Sequence, residues 1–183
     1  MIRHYWEENM YKLNGVMYSA EEIKAKVKEL AKQIEKDYAG EELLVVGILK
    51  GASVFCADLI REIDLDVRMD FMVVSSYGNE TSSSGTVKII KDLDVDIENK
   101  NVLIVEDIID SGLTLSSLVA ALETRKPKSL KLCTLLDKPE RRTADIKVDY
   151  VGYVIEDKFI VGYGIDFAEK YRNLPYIGIV EDI

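Results

Sequence analysis

The sequence predicts an α/β fold in which a mostly parallel, twisted sheet is flanked by helices. Leu43–Leu49 and Val102–Val105 are short, continuous apolar runs, which are typical of strands buried on both faces of a parallel sheet. Each run is followed by a polar loop and then by a pattern with helical spacing, as in strand–loop–helix units. The chain has 183 residues, of which 48% are hydrophobic, so it is long enough for one domain with a substantial core.

The first predicted helix begins at a capping box formed by Ser19 and Glu22. Its apolar positions share one helical face, and the pattern ends near Gly40. These positions are Ile23, Val27, Leu30, Ala31 and Ile34. The strand Leu43–Leu49 comes next, and a second helix is predicted over Val54–Arg61. No clean period precedes Ser19, so no element is predicted there.

A hairpin is predicted next, from a strand at Val67–Val74 to a returning strand at Val87–Ile90. Its connecting segment, Ser75–Thr86, contains five serines, two threonines and two glycines. Because such a segment has few side chains to bury, we expect it to be mobile. It fits either an ordinary hairpin tip or a lid that closes over a substrate.

The second half of the chain continues the alternation of strands and helices. After Val102–Val105, a helical pattern extends to about Arg125, and Pro127 ends it. Strands are predicted at Ser129–Leu136 and Tyr150–Ile155. No repeat of 20–50 residues and no linker interrupts the sequence, so residues 1–183 are expected to form a single domain.

Composition excludes several classes of function. The formal charge of −9 and the lack of a basic block argue against nucleic-acid binding. No apolar run approaches the roughly 20 residues of a membrane span, and the N-terminus lacks the apolar core of a signal peptide, so we expect a cytoplasmic protein.

His4 is the only histidine, which excludes a His-dependent triad. Cys56 and Cys133 lie in apolar segments and are predicted to be small buried residues rather than ligands or a disulfide.

The segment Asn101–Thr114 carries most of the candidate chemistry. Acidic residues follow its apolar run, and a small-residue loop comes after them. In order, these residues are Glu106, Asp107, Asp110, Ser111, Gly112 and Thr114. Ligands of open α/β sheets bind beyond the carboxyl ends of the strands, and successive N–H groups at a helix start form an anion site. The segment therefore predicts a phosphate site beside acidic side chains. The alternative is a solvated turn in which Asp110 or Ser111 merely caps the helix.

Three other positions are ambiguous when considered alone. Lys50-Gly51 follows a predicted strand in the same way and is a second possible anion loop, although such a pair is more often an ordinary connection. Lys138 is typical of a solvated lysine. Phe159 is more typical of a core residue than of a platform for a bound ring.

The order Glu-Asp-Ile-Ile-Asp-Ser-Gly-Leu-Thr resembles the phosphoribosyl pyrophosphate motif of the type I phosphoribosyltransferases. Its double isoleucine is similar to that of hypoxanthine-guanine phosphoribosyltransferases. The resemblance implies that the motif binds the phosphoribosyl group and its 5′-phosphate, and that Asp110 accepts a proton from purine N7. The implied binding residues are Glu106, Asp107, Ile108, Ile109, Asp110, Ser111, Gly112, Leu113 and Thr114. Some members carry a lysine at the position of Leu113, so an altered phosphate affinity is expected.

Further segments resemble the family in the same order along the chain. Lys50-Gly51 is similar to its pyrophosphate loop, in which the bond before the lysine is often cis. Ser76-Tyr77 is similar to the dipeptide of its flexible lid. Lys138, in Leu-Leu-Asp-Lys-Pro, corresponds to a lysine that donates to the exocyclic oxygen of a 6-oxopurine.

The C-terminal part of the resemblance implies the remaining site. Phe159 stacks on the purine, and Ile160 offers main-chain groups to the base edge. Asp166 lies near the base and a magnesium ion, and Arg172 holds pyrophosphate, a use that suits a fork-shaped cation. Glu106 and Asp107 complete the implied metal set.

The implied protein has the type I phosphoribosyltransferase fold with a small hood built from the two chain ends. Its implied reaction joins hypoxanthine or guanine to phosphoribosyl pyrophosphate with Mg²⁺, giving IMP or GMP plus pyrophosphate for purine salvage. A homodimer or homotetramer is expected, without nucleic-acid or membrane partners. The alternatives are a xanthine-selective phosphoribosyltransferase, a non-catalytic regulator that senses phosphoribosyl pyrophosphate, and a doubly wound domain with an acidic signalling site.

Overall fold

A computed structural model describes residues 13–76 and 87–180, and it confirms the predicted α/β fold. In chain order, the elements are β1 (Leu13–Tyr18), α1 (Ala20–Asp37), β2 (Leu43–Leu49), α2 (Ser53–Glu62), β3 (Val67–Ser76), β4 (Val87–Lys91), β5 (Asn101–Ile109), α3 (Leu113–Glu123), β6 (Ser129–Asp137), a 3-10 turn (Pro139–Arg141), β7 (Tyr150–Val154), β8 (Ile160–Val161) and β9 (Ile177–Val180).

The main sheet has six strands in the order β4-β3-β2-β5-β6-β7. All neighbouring strands are parallel except β4, which runs antiparallel to β3. The chain leaves β2 for β3 on one side and returns to β5 on the other, where Gly47 is in register with Val105. This reversal makes the carboxyl ends of β2 and β5 a topological switch point, the usual ligand-binding position of an open α/β sheet.

Helices cover both faces of the sheet, which explains why its central strands are continuously apolar. In β2, Leu43 and Val45 pack in the core beneath α1 and α2, whereas Val46 and Ile48 pack on the opposite side with α3. Alternate residues of a strand point to opposite faces. Both sets must therefore be apolar when both faces are buried.

A second sheet of three antiparallel strands, in the order β1-β9-β8, combines residues from the two ends of the described chain. The sequence predicted none of these strands. β1 has no buried residue and pairs with register shifts. β8 and β9 have only two and four residues. None of the three is long and regular enough to show a two-residue hydrophobic period.

Element boundaries differ from prediction by a few residues. α1 ends at Asp37 rather than near Gly40, and α3 ends at Glu123 rather than about Arg125. β3 extends to Ser76, so the first two residues of the predicted mobile segment belong to a strand. The rest of that segment, including Tyr77 of the predicted lid, lies outside the described residues, as does His4.

The two cysteines are free and fully buried, as predicted. Burial raises the pKa of the Cys56 thiol to about 12, so this thiol stays protonated at neutral pH. None of the helices within residues 13–76 and 87–180 is long and apolar enough to cross a membrane.

Candidate active site

The switch point brings the loop after β2 against the acidic end of β5. The Leu49-Lys50 peptide bond at the start of this loop is cis. A Cβ atom added to Gly51 would lie 1.8 Å from Asp107 Oδ2, and one added to Gly164 would lie 2.1 Å from the Gly51 carbonyl oxygen. Three segments that are distant in sequence therefore meet here at contact distances that only glycine permits.

Replacing Gly51 with alanine should displace either the loop or the Asp107 carboxylate. We expect Gly51→Ala to weaken the binding of magnesium phosphoribosyl pyrophosphate by about tenfold or more, since overpacking of this kind costs roughly 1–3 kcal/mol. Isothermal titration calorimetry measures this change. Ser53→Ala, two residues further on, is the control and should bind normally. Unchanged binding by Gly51→Ala would show that the close approach does not shape the site.

Two poorly compensated carboxyl groups lie at the end of β5. Glu106 Oε2 is buried and has no hydrogen-bond partner among the described residues. Burial, and then the negative charge of Asp107, raise the pKa of Glu106 well above its usual range. Burial also raises the pKa of Asp107 to about 6, although hydrogen bonds from main-chain N–H groups and the nearby Arg172 act in the opposite direction. A cation bound beside Glu106 and Asp107 would offset the free-energy cost of burying their negative charges.

The raised pKa of Glu106 implies that its charge destabilises the free protein. The native carboxyl binds its proton more tightly than the unfolded chain does, so the penalty exists above the unfolded pKa and disappears at lower pH. Without metal and substrates, Glu106→Gln should raise the free energy of unfolding by about 1 kcal/mol at pH 8. Urea unfolding should show that this gain shrinks on acidification.

The exposed Glu98 provides the control for that experiment, since Glu98→Gln should leave stability almost unchanged at both pH values. A Glu106→Gln variant no more stable than wild type at pH 8 would contradict the assigned penalty. A gain of the same size at pH 4 would show that it does not arise from the charge.

The loop between β5 and α3 surrounds a cavity of about 150 Å³ at the start of the helix. Its lining includes Glu106, Ile108, Ile109, Asp110, Ser111, Gly112 and Thr114, whereas Asp107 and Leu113 are not part of it. Gly112 adopts a left-handed conformation (φ 77°) as the N-cap of α3, and the Ser111 hydroxyl accepts a hydrogen bond from the main-chain N–H of Leu113, the first residue of the helix (3.4 Å). The Asp110 carboxylate instead accepts a hydrogen bond from Arg141. The cap alternative is therefore wrong for Asp110.

Arg172 lies beside the same switch point through its contact with the Gly164 segment. Its Nη1 donates to the Gly164 carbonyl (2.8 Å), and its Nη2 pairs with Asp166 Oδ1 (2.7 Å). Its Nε is buried without a partner among the described residues. Lys50 Nζ pairs with Glu169 Oε2 (2.9 Å), and both of these side chains are largely exposed. Two cations thus lie at the Gly51 loop, and Lys50 can exchange its exposed partner Glu169 for a ligand at little cost.

Lys138 lies at the end of β6, on the other side of β5. It is only 7% exposed, so the expectation of a solvated lysine is wrong. Its Nζ donates to the Lys158 carbonyl (2.7 Å) and to Asp157 Oδ1 (3.2 Å), which compensates its burial. The ammonium is therefore held in one place.

Phe159 is 48% exposed, so the expectation of a core residue is wrong as well. It immediately precedes β8, whose first residue, Ile160, has a buried side chain. Since side chains alternate in an extended segment, Phe159 points away from the core. Its ring makes an edge contact with Phe167 (centroid distance 5.1 Å). One ring face near Lys138 could therefore receive a planar ligand.

The site offers a metal ion two carboxylate ligands rather than a complete set of protein ligands. Within the described ranges, no three His, Cys, Asp or Glu side chains are grouped closely enough to hold one. Both oxygens of Asp166 are engaged, by Arg172 and by the Glu169 main-chain N–H. The unpartnered Glu106 Oε2 and the neighbouring Asp107 nevertheless suit Mg²⁺, which commonly takes one or two carboxylates and completes its shell with substrate oxygens and water.

Four charged residues contact this site but were not predicted from the sequence. Arg141 bridges Asp110 and Asp157, and Arg142 donates to the Asp110 carbonyl. Glu169 pairs with Lys50. Asp157 comes two residues before Phe159, to which the resemblance assigned a role, but nothing in the pattern linked it to Lys138. For the other three, no local signal exists, because the site residues that they contact, Asp110 and Lys50, are 31 to 119 residues away.

Comparison with known proteins gives matches over most of the chain. A family profile described as phosphoribosyl transferase domain matches residues 17–168. The hypoxanthine-guanine phosphoribosyltransferase of Bacillus subtilis (strain 168) is 58% identical over 169 residues, which cover 92% of this chain and 94% of that relative. A crystal structure of a hypoxanthine-guanine phosphoribosyltransferase from Bacillus anthracis, with HEPES in its active site, matches with a TM-score of 0.90 and 58% identity, covering 93% of this chain and 100% of that one.

A longer relative contains a region of the same kind. A bifunctional TilS/HprT protein of Listeria monocytogenes serotype 4b (strain F2365) is 54% identical over 169 residues, or 92% of this chain. The chain spans only 26% of the length of that relative. The similarity therefore concerns one part of the bifunctional protein.

Proposed function

The chain belongs to the phosphoribosyltransferase family, and we propose that it transfers the phosphoribosyl group of phosphoribosyl pyrophosphate to hypoxanthine or guanine in purine salvage. The products are IMP or GMP and pyrophosphate. One observation carries this proposal: Glu106 lines the cavity at the start of α3, and the next residue, Asp107, lies against Gly51 of the loop after β2. This arrangement supports a 5′-phosphate site at the start of α3, a sugar site at the two carboxylates and a pyrophosphate site at the Gly51 loop.

The loop from Asp110 to Thr114 binds the 5′-phosphate through main-chain N–H groups at the start of α3 and through the hydroxyls of Ser111 and Thr114. Glu106 and Asp107 orient the ribose hydroxyls. Their negative charge also favours the cationic sugar that develops as the bond to pyrophosphate breaks. Lys50, Gly51 and Arg172 receive the departing pyrophosphate, with Arg172 exchanging Asp166 for phosphate oxygens.

Lys138 and Phe159 bind the purine, together with main-chain groups of Ile160. The Phe159 ring stacks on the base, and Asp166 lies at its edge. The Lys138 ammonium donates to the exocyclic oxygen of a 6-oxopurine, and adenine is rejected because its amino group would leave two donors facing each other. As N9 bonds to the sugar, Asp110 takes up the proton released from N7.

Glu106 and Asp107, with Asp166 close by, would hold a Mg²⁺ ion, which would supply positive charge to the pyrophosphate leaving group. Glu106 and Asp107 are suited to this task because both remain poorly compensated within the described protein. From the resemblance alone, we further propose a cytoplasmic homodimer or homotetramer, whose mass can be measured by sedimentation equilibrium.

Nucleotide formation from each base tests the proposed function. The protein is incubated with phosphoribosyl pyrophosphate, magnesium and one of hypoxanthine, guanine, xanthine or adenine, and products are separated by chromatography. We expect IMP and GMP, and no AMP. Product from xanthine alone would overturn the assigned base. Binding of phosphoribosyl pyrophosphate without turnover of any base would indicate a regulator instead of an enzyme.

A further inference from the structure

We propose that Arg141 is a positioning residue, which orients the Asp110 carboxylate and connects it through Asp157 to Lys138. This inference rests on the proposed function, since it concerns two residues to which that function assigns chemistry on the purine. Neither composition nor the family resemblance assigned a role to Arg141.

The contacts form a continuous chain of alternating charges. Arg141 lies in the 3-10 turn that follows β6, and its Nε donates to Asp110 Oδ1 (3.1 Å). Its Nη1 donates to Asp157 Oδ2 (3.2 Å). The other oxygen of Asp157 accepts from Lys138 Nζ (3.2 Å). One planar guanidinium thus connects two loops, the one after β5 and the one after β7, which a single ammonium group could not span in the same way.

Neighbouring residues hold the main chain of the Asp110 loop, so the carboxylate itself depends on Arg141. The Lys138 N–H donates to the Ile109 carbonyl (3.0 Å), and Arg142 Nε donates to the Asp110 carbonyl (3.2 Å). The N–H groups of Thr143 and Ala144 donate to the Ser111 carbonyl (3.0 and 3.1 Å). These bonds fix the path of the loop but leave the side-chain torsions of Asp110 free. The Arg141 contact is what selects one orientation.

The solvent exposure of Arg141 and Asp110 favours a positioning role for Arg141 over a role in stabilising the fold. The side chains of Arg141 and Asp110 are 54% and 48% exposed. Exposed ion pairs contribute little to folding, so loss of Arg141 should leave the protein folded. A proton acceptor, in contrast, must be held in a narrow range of geometry, and a small misplacement lowers the rate strongly. The expected consequence is therefore a loss of rate.

A double-mutant cycle between Arg141 and Asp110 tests the proposal. Arg141→Ala should lower kcat for IMP formation by about tenfold, because Asp110 loses its orientation, while KM for phosphoribosyl pyrophosphate changes less than about twofold. In the Asp110→Asn background, the same substitution should change the residual rate less than about twofold, since the acceptor is already absent. Arg141→Lys should recover only part of the lost rate.

Arg125→Ala is the matched control, because Arg125 forms a similar two-bond pair with Asp92 away from the site. Its kcat should equal that of the wild type. An Arg141→Ala rate within twofold of wild type would overturn the proposal. An equal loss in both backgrounds would overturn it too, since it would indicate a general structural effect. A wild-type protein that forms no nucleotide from any base would overturn the proposed function itself, and this inference with it.

Discussion

Asp110→Asn should lower the rate of nucleotide formation in a single turnover by about 10²–10⁴-fold, the usual contribution of a general base. The purine must lose a ring proton as N9 becomes glycosylated, and asparagine cannot take that proton up. Asparagine preserves the size of the side chain and an oxygen that can still accept from Arg141 Nε. The geometry of the loop should therefore survive. Rapid-quench measurements with hypoxanthine and enzyme in excess give the rate directly.

A measurement of substrate binding distinguishes a proton-accepting role of Asp110 from a simple structural one. Magnesium phosphoribosyl pyrophosphate should bind to Asp110→Asn with near wild-type affinity, because the proposed 5′-phosphate site consists of main-chain N–H groups and hydroxyls. The exposed Asp64 provides the control, and Asp64→Asn should react normally. A near-normal rate for Asp110→Asn would refute the assignment. Loss of sugar-phosphate binding would move the role of Asp110 to the phosphate loop.

The parts of the fold that could be predicted share one physical property, a regular pattern over several residues. β5 begins with an uninterrupted buried run because helices cover both faces of the sheet. The capping box of Ser19 and Glu22 and the single apolar face of α1 were equally visible. β1 could not be predicted, because none of its side chains is buried and its pairing with β9 is irregular. Such strands form only because partners from the other end of the chain reach them.

In the candidate site too, only the part that is continuous in sequence could be predicted. Glu106 to Thr114 is continuous in sequence, so a single segment could be predicted to combine acids with a phosphate loop. The environment of isolated residues could not be predicted. Lys138 is buried because Asp157 and the Lys158 carbonyl satisfy its ammonium, and Phe159 is exposed because Ile160 takes the inward position. Both outcomes depend on partners that local sequence does not specify.

Lys138→Ala should lower nucleotide formation from both hypoxanthine and guanine by about 10²-fold or more. A charge-assisted hydrogen bond to the exocyclic oxygen is lost in a site from which the bound purine excludes water, which costs on the order of 2–3 kcal/mol. Lys138 is only 7% exposed and its ammonium is already held by Asp157 and the Lys158 carbonyl, so little side-chain entropy is lost on binding the base. Steady-state kinetics with each base should show the loss in kcat/KM.

The fold should tolerate this substitution, because Arg141 still pairs with Asp157 after the lysine is removed. Affinity for magnesium phosphoribosyl pyrophosphate should change little, since Lys138 lies on the side of β5 opposite to Lys50 and the Gly51 loop. Lys147→Ala removes an exposed lysine that pairs with Asp149, and it should keep wild-type kinetics. If Lys138→Ala retained full activity with both bases, the purine would have to bind elsewhere. If it gained activity with adenine alone, the ammonium would act by excluding the amino group and not by binding the oxygen.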